Sequence, residues 1–212
     1  MNRDAAALRL CLVTDRDLSL GRSLCEVVGH AIQGGVTMVQ LREKVAGTRE
    51  FLSQAMQLKQ LLAGTGVPLI INDRVDIALA ADADGVHVGQ SDMPVAEVRR
   101  LIGAAKWIGL SISDARQLRN ADVELADYLG MGPIHPQATK RDASDPLGID
   151  GFGRMRRQTS KPVVAIGGVK PADADALFQH GADGLAVVSA IMSAADPESA
   201  ARAFLGNAAQ PA

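Results

Sequence analysis

Short apolar runs recur along the chain at residues 10–14, 37–41, 69–71, 85–88, 107–110, 128–131, 162–166 and 185–188. The run at 162–166 lacks polar alternation, which predicts a strand buried on both faces, and the others are read as strands of the same sheet. Between them lie stretches with helical spacing and recognisable ends. One covers 23–33 and is closed by Gly34 and Gly35, and another takes Thr48 as N-cap, runs to Leu62 and is stopped by Gly64 and Gly66. Further helices are expected at 75–81, from Pro94 to Gly103, and at 115–120. Pro171 suits the first turn of a helix over 172–180 that ends at Gly181. The last helix has Asp196 as N-cap, Pro197 at its first position and Gly206 beyond its end. The rhythm breaks once, in a segment from Gly132 to Gly153, longer than ordinary connections and so a candidate functional loop.

Eight strands, each followed by a helical segment with no composition break, predict an α/β protein. The economical architecture is one (β/α)8 TIM barrel over 1–212, with 207–212 as a frayed tail. An open doubly wound sheet would use fewer strands or need a second domain. The residues are 47% hydrophobic but only 3% aromatic, so Val, Ile, Leu and Ala must fill the core. Twenty-two basic against 24 acidic residues give a net charge of −2, which argues against a nucleic-acid surface or a polybasic membrane patch. The two cysteines, Cys11 and Cys25, form no disulfide or metal framework and read as small core residues. With no apolar run of membrane-spanning length and no leader pattern near Met1, the expectation is a cytoplasmic protein without membrane partners.

Polar residues gather where the strands end, and the carboxyl-end face of such a barrel is its reactive face. Gln40, Arg42 and Lys44 alternate around Leu41 and Glu43, and at a strand period of two they would present two cations and an amide to an anion. Asp73 and Asp92 follow adjacent strands, where paired carboxylates suit a hard cation such as Mg²⁺; Asp92 could instead cap the helix at Pro94. Gly167 and Gly168 after the seventh strand, with Ser189 after the eighth, occupy the common phosphate position of this architecture. Thr139, Lys140 and Arg141 add a hydroxyl and two cations from the long loop. His30, His87, His135 and His180 lack metal-ligand spacing and receive no role. Together these residues suggest displacement of pyrophosphate, the diphosphate meeting cations and Mg²⁺ at one anion site while a phosphorylated partner sits at the other.

The segments Val39-Gln40-Leu41-Arg42-Glu43-Lys44, Ile71-Asn72-Asp73-Arg74, Gly85-Val86-His87-Val88-Gly89-Gln90-Ser91-Asp92, Gly109-Leu110-Ser111, Gly130-Met131-Gly132-Pro133-Ile134, Thr139-Lys140 and Ala165-Ile166-Gly167-Gly168-Val169 resemble, in order, the thiamine-phosphate synthase family. The resemblance implies a barrel enzyme that condenses 4-amino-2-methyl-5-(diphosphooxymethyl)pyrimidine with thiazole phosphate, giving thiamine phosphate and pyrophosphate by a dissociative, Mg²⁺-assisted displacement. It implies substrate contacts from Gln40, Leu41, Arg42, Glu43, Lys44, Asn72, Ser111, Gln137, Ala138, Thr139, Lys140, Gly168, Val188 and Ser189. Of these, Arg42, Lys44, Ser111 and Lys140 would act on the reacting groups, and Asp73 and Asp92 would hold Mg²⁺. The chain departs from the family at Pro136-Gln137-Ala138-Thr139-Lys140, where Pro-Thr-x-Thr-Lys is usual, and at His135, where an aromatic is common. An amide still donates to phosphate, so binding with altered geometry is expected. The alternatives are a thiazole tautomerase-like barrel, which would need no diphosphate or metal site, and a silent paralogue that binds thiamine intermediates. A homo-oligomer is compatible with the sequence.

Overall fold

A computed structural model describes residues 4–136 and 145–206. Gln137, Ala138, Thr139 and Lys140, together with the expected tail at 207–212, lie outside the described residues. Eight parallel strands close on themselves in sequence order: β1 (Leu10–Val13), β2 (Met38–Leu41), β3 (Leu69–Asn72), β4 (Gly85–Val88), β5 (Trp107–Ile112), β6 (Tyr128–Met131), β7 (Val163–Ile166) and β8 (Gly184–Val187). The closed barrel expected from the apolar runs is therefore present. Around it lie α1 (Leu24–Gln33), α2 (Thr48–Leu62), α3 (Val75–Ala80), α4 (Val95–Ile102), α5 (Asp122–Leu125), α6 (Gly148–Arg156), α7 (Ala174–Gln179), α8 (Ser189–Met192) and α9 (Pro197–Arg202).

Side-chain parity divides the core in two. Leu10, Leu12, Val39, Leu41, Leu69, Ile71, Val86 and Val88 face outward and pack beneath the helices. Cys11, Val13, Met38, Ile70, Trp107, Tyr128, Val164 and Ala186 fill the interior, closed from below by Leu8 on a 3₁₀ turn, Ala5–Leu8. Each fully buried aliphatic side chain contributes about 1.5–3 kcal/mol of hydrophobic stabilisation. Because strands buried on both faces have no solvent side, apolar runs of this kind specify position without alternation.

The base of the barrel is pinned by a device repeated at every second strand. Asp84, Asp127 and Asp183 immediately precede β4, β6 and β8. Through Oδ2 they accept hydrogen bonds from the amides of Leu69, Ile108 and Val163 on the preceding strands, at 2.9, 2.7 and 2.8 Å. A cation from the helix ahead of each preceding strand completes the group: Lys59 with Asp84, Arg99 with Asp127, and Arg156 with Asp183. Thr37 performs the same service before β2, its hydroxyl accepting from Leu10 N at 2.9 Å.

Three local expectations are corrected. The break expected from Gly132 to Gly153 contains the start of α6, in which Gly153 is there for packing: a Cβ on it would lie 2.5 Å from the His180 ring. The helix expected at 115–120 is a 3₁₀ turn, Gln117–Arg119, followed by α5. Gly47, not Thr48, is the N-cap of α2, and the Thr48 hydroxyl instead accepts from Arg74 Nη2 at 3.1 Å.

Candidate active site

The carboxyl ends of β2 to β5 gather most of the polar candidates. Gln40 points into the barrel and is only 4% exposed. The strand ends at Leu41, so a strand period does not carry through Arg42 and Lys44. Arg42 is anchored through its amide to the buried Thr14 hydroxyl at 3.1 Å, and its guanidinium lies 3.6 Å from Asp15. Lys44, half-exposed, places Nζ 2.7 Å from Asp73 Oδ2. Leu41 faces outward with its side chain fully buried beneath the helices, so its backbone is what it offers the mouth. Glu43 folds its carboxylate onto the amides of Val45 and Ala46, with Arg16 Nε 3.6 Å away. Burial alone would raise the Glu43 pKa, but these donors and Arg16 outweigh it and hold the carboxyl below its ordinary value.

Asp73 sits one residue beyond β3 in the left-handed region, at φ 62°, with its amide bonded to the His87 carbonyl at 2.8 Å. Asp92, exposed on the loop after β4, accepts from Gly89 N through Oδ2 at 2.7 Å. It therefore closes its own turn and does not cap α4, whose first amide, Val95 N, is taken by Asp122 at 3.2 Å. Among the described residues no group of three or more His, Cys, Asp or Glu could hold a metal ion. A cation here would draw on two carboxylates plus water and phosphate oxygens, the sparse protein donor set that suits Mg²⁺.

Ser111, the penultimate residue of β5, is partly open to the mouth. Its carbonyl accepts from Gln90 Nε2 at 2.7 Å, and its Oγ lies 2.9 Å from Nε2 of the buried His87. The other ring nitrogen, Nδ1, is 3.0 Å from the Tyr128 hydroxyl. Desolvation pushes the His87 imidazole down to about 4 and the Tyr128 phenol well above its usual value, so both are neutral at pH 7. Sequence reasoning assigned His87 and Tyr128 nothing. The usable signal was parity: His87 shares the inward face of β4, and Gly109 and Gly130 on the next two strands leave room for its ring.

Across the mouth, Ile166 of β7 pairs with Ala186 of β8, bringing Gly167-Gly168 beside Val188-Ser189. Gly167 and Gly168 have φ of 96° and 71°, values that favour glycine. A Cβ on Gly167 would lie 2.6 Å from Pro133, so the β6 and β7 loops touch there. His135 strengthens that junction, with Nε2 2.9 Å from Asp173 Oδ2 and its amide donating to the Gly167 carbonyl. The structure thus brings Gln40, Arg42, Lys44, Asn72, Asp73, Asp92 and Ser111 to one arc of the mouth and Gly168, Val188 and Ser189 to the other.

A family model described as thiamine monophosphate synthase matches residues 10–191, from the first strand to α8. The thiamine-phosphate synthase of Chloroflexus aurantiacus is 53% identical over 194 residues, covering 92% of this chain and 89% of its own length. The chain belongs to the thiamine-phosphate synthase family. The family's thiamine-phosphate synthase from Vibrio campbellii is 50% identical over 94% of this chain and 98% of its own length. The thiamine phosphate pyrophosphorylase structure from Pyrococcus furiosus superposes with a TM-score of 0.85 at 35% identity, over 95% of each chain. Among the described residues no helix is long and apolar enough to cross a membrane.

Proposed function

We propose that the chain is a thiamine-phosphate synthase, a transferase that joins the aminopyrimidine methyl diphosphate to thiazole phosphate and releases pyrophosphate. The observation carrying this reading is the two-sided mouth: a cation- and carboxylate-bearing arc faces a glycine- and serine-bearing arc, in a chain of this family. The bond between the pyrimidine methylene and the diphosphate oxygen breaks, and the ring nitrogen of the thiazole then captures the methylene cation. Both electrons of the broken bond leave with pyrophosphate, so the reaction needs stabilisation of negative charge more than a general base.

Arg42 and Lys44 would take the diphosphate oxygens, with Asn72 and Ser111 donating beside them. Lys44 must then exchange Asp73 for phosphate. An ion pair this exposed is worth at most about 1 kcal/mol, so the exchange is easy. Asp73 and Asp92 would hold Mg²⁺, which would supply positive charge beside the departing diphosphate. Gly168 and Ser189, with Thr139 from the loop outside the described residues, would hold the thiazole phosphate, and Lys140 would join the diphosphate side. Substrates are small molecules.

The test is to combine both substrates with Mg²⁺ and follow pyrophosphate and thiamine phosphate together. Stoichiometric release of both products supports the synthase. Rearrangement of the thiazole phosphate without pyrophosphate indicates a tautomerase-like barrel, and binding without turnover indicates a silent paralogue.

A further inference from the structure

The interior of the barrel holds a line of polar groups beneath the mouth, and two of them, Tyr128 and His87, have no part in the displacement as described. Gln40, Tyr128, His87 and Ser111 come from four different strands, and the first three are at most 5% exposed. Nothing about filling a barrel requires them, since apolar side chains pack there at lower desolvation cost. The space for the imidazole is instead carved out. A Cβ on Gly109 would lie 2.3 Å from both His87 Nδ1 and Tyr128 Cζ, and one on Gly130 would lie 3.0 Å from His87 Cε1. Trp107 meets the Tyr128 ring edge-on at 6.0 Å and fixes it from the side.

The line has a direction. The buried Tyr128 hydroxyl has a proton to place, a buried donor left unpaired is costly, and the acceptor that the structure brings within hydrogen-bond distance is the His87 ring. Tyr128 is thereby left to donate its proton to His87 Nδ1, 3.0 Å away. A neutral imidazole has one donor and one acceptor nitrogen, so Nε2 carries the hydrogen and donates to Ser111 Oγ at 2.9 Å. With that lone pair engaged from below, the Ser111 hydroxyl turns its own proton away, toward its open side at the mouth.

We propose that His87 is a positioning residue whose Nε2–H tautomer, set by Tyr128, fixes the Ser111 hydroxyl as a hydrogen-bond donor to the pyrimidine diphosphate. The inference rests on the synthase reading for the identity of that ligand. A free serine hydroxyl rotates and offers donor or acceptor alike. One locked as a donor is preorganised for the charge that develops as the diphosphate leaves.

Two measurements test it. In ¹⁵N-histidine-labelled protein at neutral pH, long-range proton–nitrogen correlation should show His87 with Nε2 protonated and Nδ1 bare. An Nδ1–H tautomer or an imidazolium overturns the proposal. In kinetics, His87→Leu should lower kcat/KM for the pyrimidine diphosphate by about 10–100-fold, the range of one hydrogen bond to a charged group, with the KM for thiazole phosphate unchanged. His87→Gln, which keeps a donor near the Nε2 position, should recover much of that loss. In a Ser111→Ala background the His87→Leu change should cost less than about threefold more, since both act through one hydroxyl. Additive losses, or no rescue by Gln, overturn the proposal. If His87→Leu fails to fold, the tautomer in the unaltered protein still decides. Unaltered protein that releases no pyrophosphate from both substrates and Mg²⁺ sinks the synthase reading, whereas turnover with the wrong tautomer sinks this inference alone.

Discussion

The base and the mouth of the barrel both pair aspartates with basic side chains, but the two sets are built differently. At the base, Asp127 Oδ2 accepts from the Ile108 amide and from Arg99 Nη2, both at 2.7 Å, and the Asp127 and Arg99 side chains are 15% and 21% exposed. The same carboxylate serves as strand register and ion pair, and Arg99 also holds the carbonyls of Gly103 and Lys106. At the mouth, Asp73 meets Lys44 at 2.7 Å through side chains alone, 27% and 50% exposed. A carboxylate that holds the amide of a neighbouring strand cannot be given up to a ligand without disturbing the sheet. One held only by a flexible lysine can. Equal distances thus conceal unequal roles: the base resists unfolding, and the mouth exchanges partners.

The sharpest break of that comparison is Asp92→Ala. Turnover is expected to fall by on the order of 10³-fold or more at limiting Mg²⁺, in line with losing a charge-stabilising group, while the melting temperature barely moves. Pyrophosphate release and a thermal melt read the two sides separately, and normal turnover would reduce Asp92 to closing the Gly89 turn. Next in size is Lys44→Ala, or Arg42→Ala, which should lower kcat by about 10²–10³-fold as well as raise KM, because both act where the leaving group gains charge. An effect confined to KM would make them tethers only.

The base should respond in the opposite currency. Asp127→Ala leaves the Ile108 amide without its acceptor and Arg99 without its charged partner, so about 1–3 kcal/mol of stability should be lost. At about 2–4 °C per kcal/mol for a chain of this size, a melting scan resolves it, and kcat of the folded enzyme should stay close to the unaltered value. A large kcat effect would mean that the two ends are coupled. The smallest effect is expected at Gln137, outside the described residues: Gln137→Thr should lower the KM for thiazole phosphate by up to about tenfold and leave the KM for the pyrimidine diphosphate alone. Weaker thiazole binding in that variant would make Gln137 a working ligand.

The sequence alone determined the eight strands and their parallel order, because a strand buried on both faces reads as a short apolar run and each run here is followed by a polar or glycine residue. It also determined that Gln40, Asp73, Asp92, Ser111 and Gly168 lie at one face, since each follows or ends a strand. Only the tertiary structure decided the rest. Glycine in α6 reads as a helix breaker until His180 is seen against Gly153. Arg42 and Lys44 follow strand parity on paper, yet β2 ends at Leu41, and the pairing partners Asp15 and Asp73 come from other loops. The aspartates preceding β4, β6 and β8 share a preceding alanine in sequence, but the amide each one holds belongs to another strand. His87 looked like a solitary histidine because its partners Tyr128 and Ser111 are 41 and 24 residues away. Hydrophobic burial acts on each segment by itself and leaves a local record, whereas a hydrogen-bond partner is set by barrel closure, which brings together residues with no common sequence pattern.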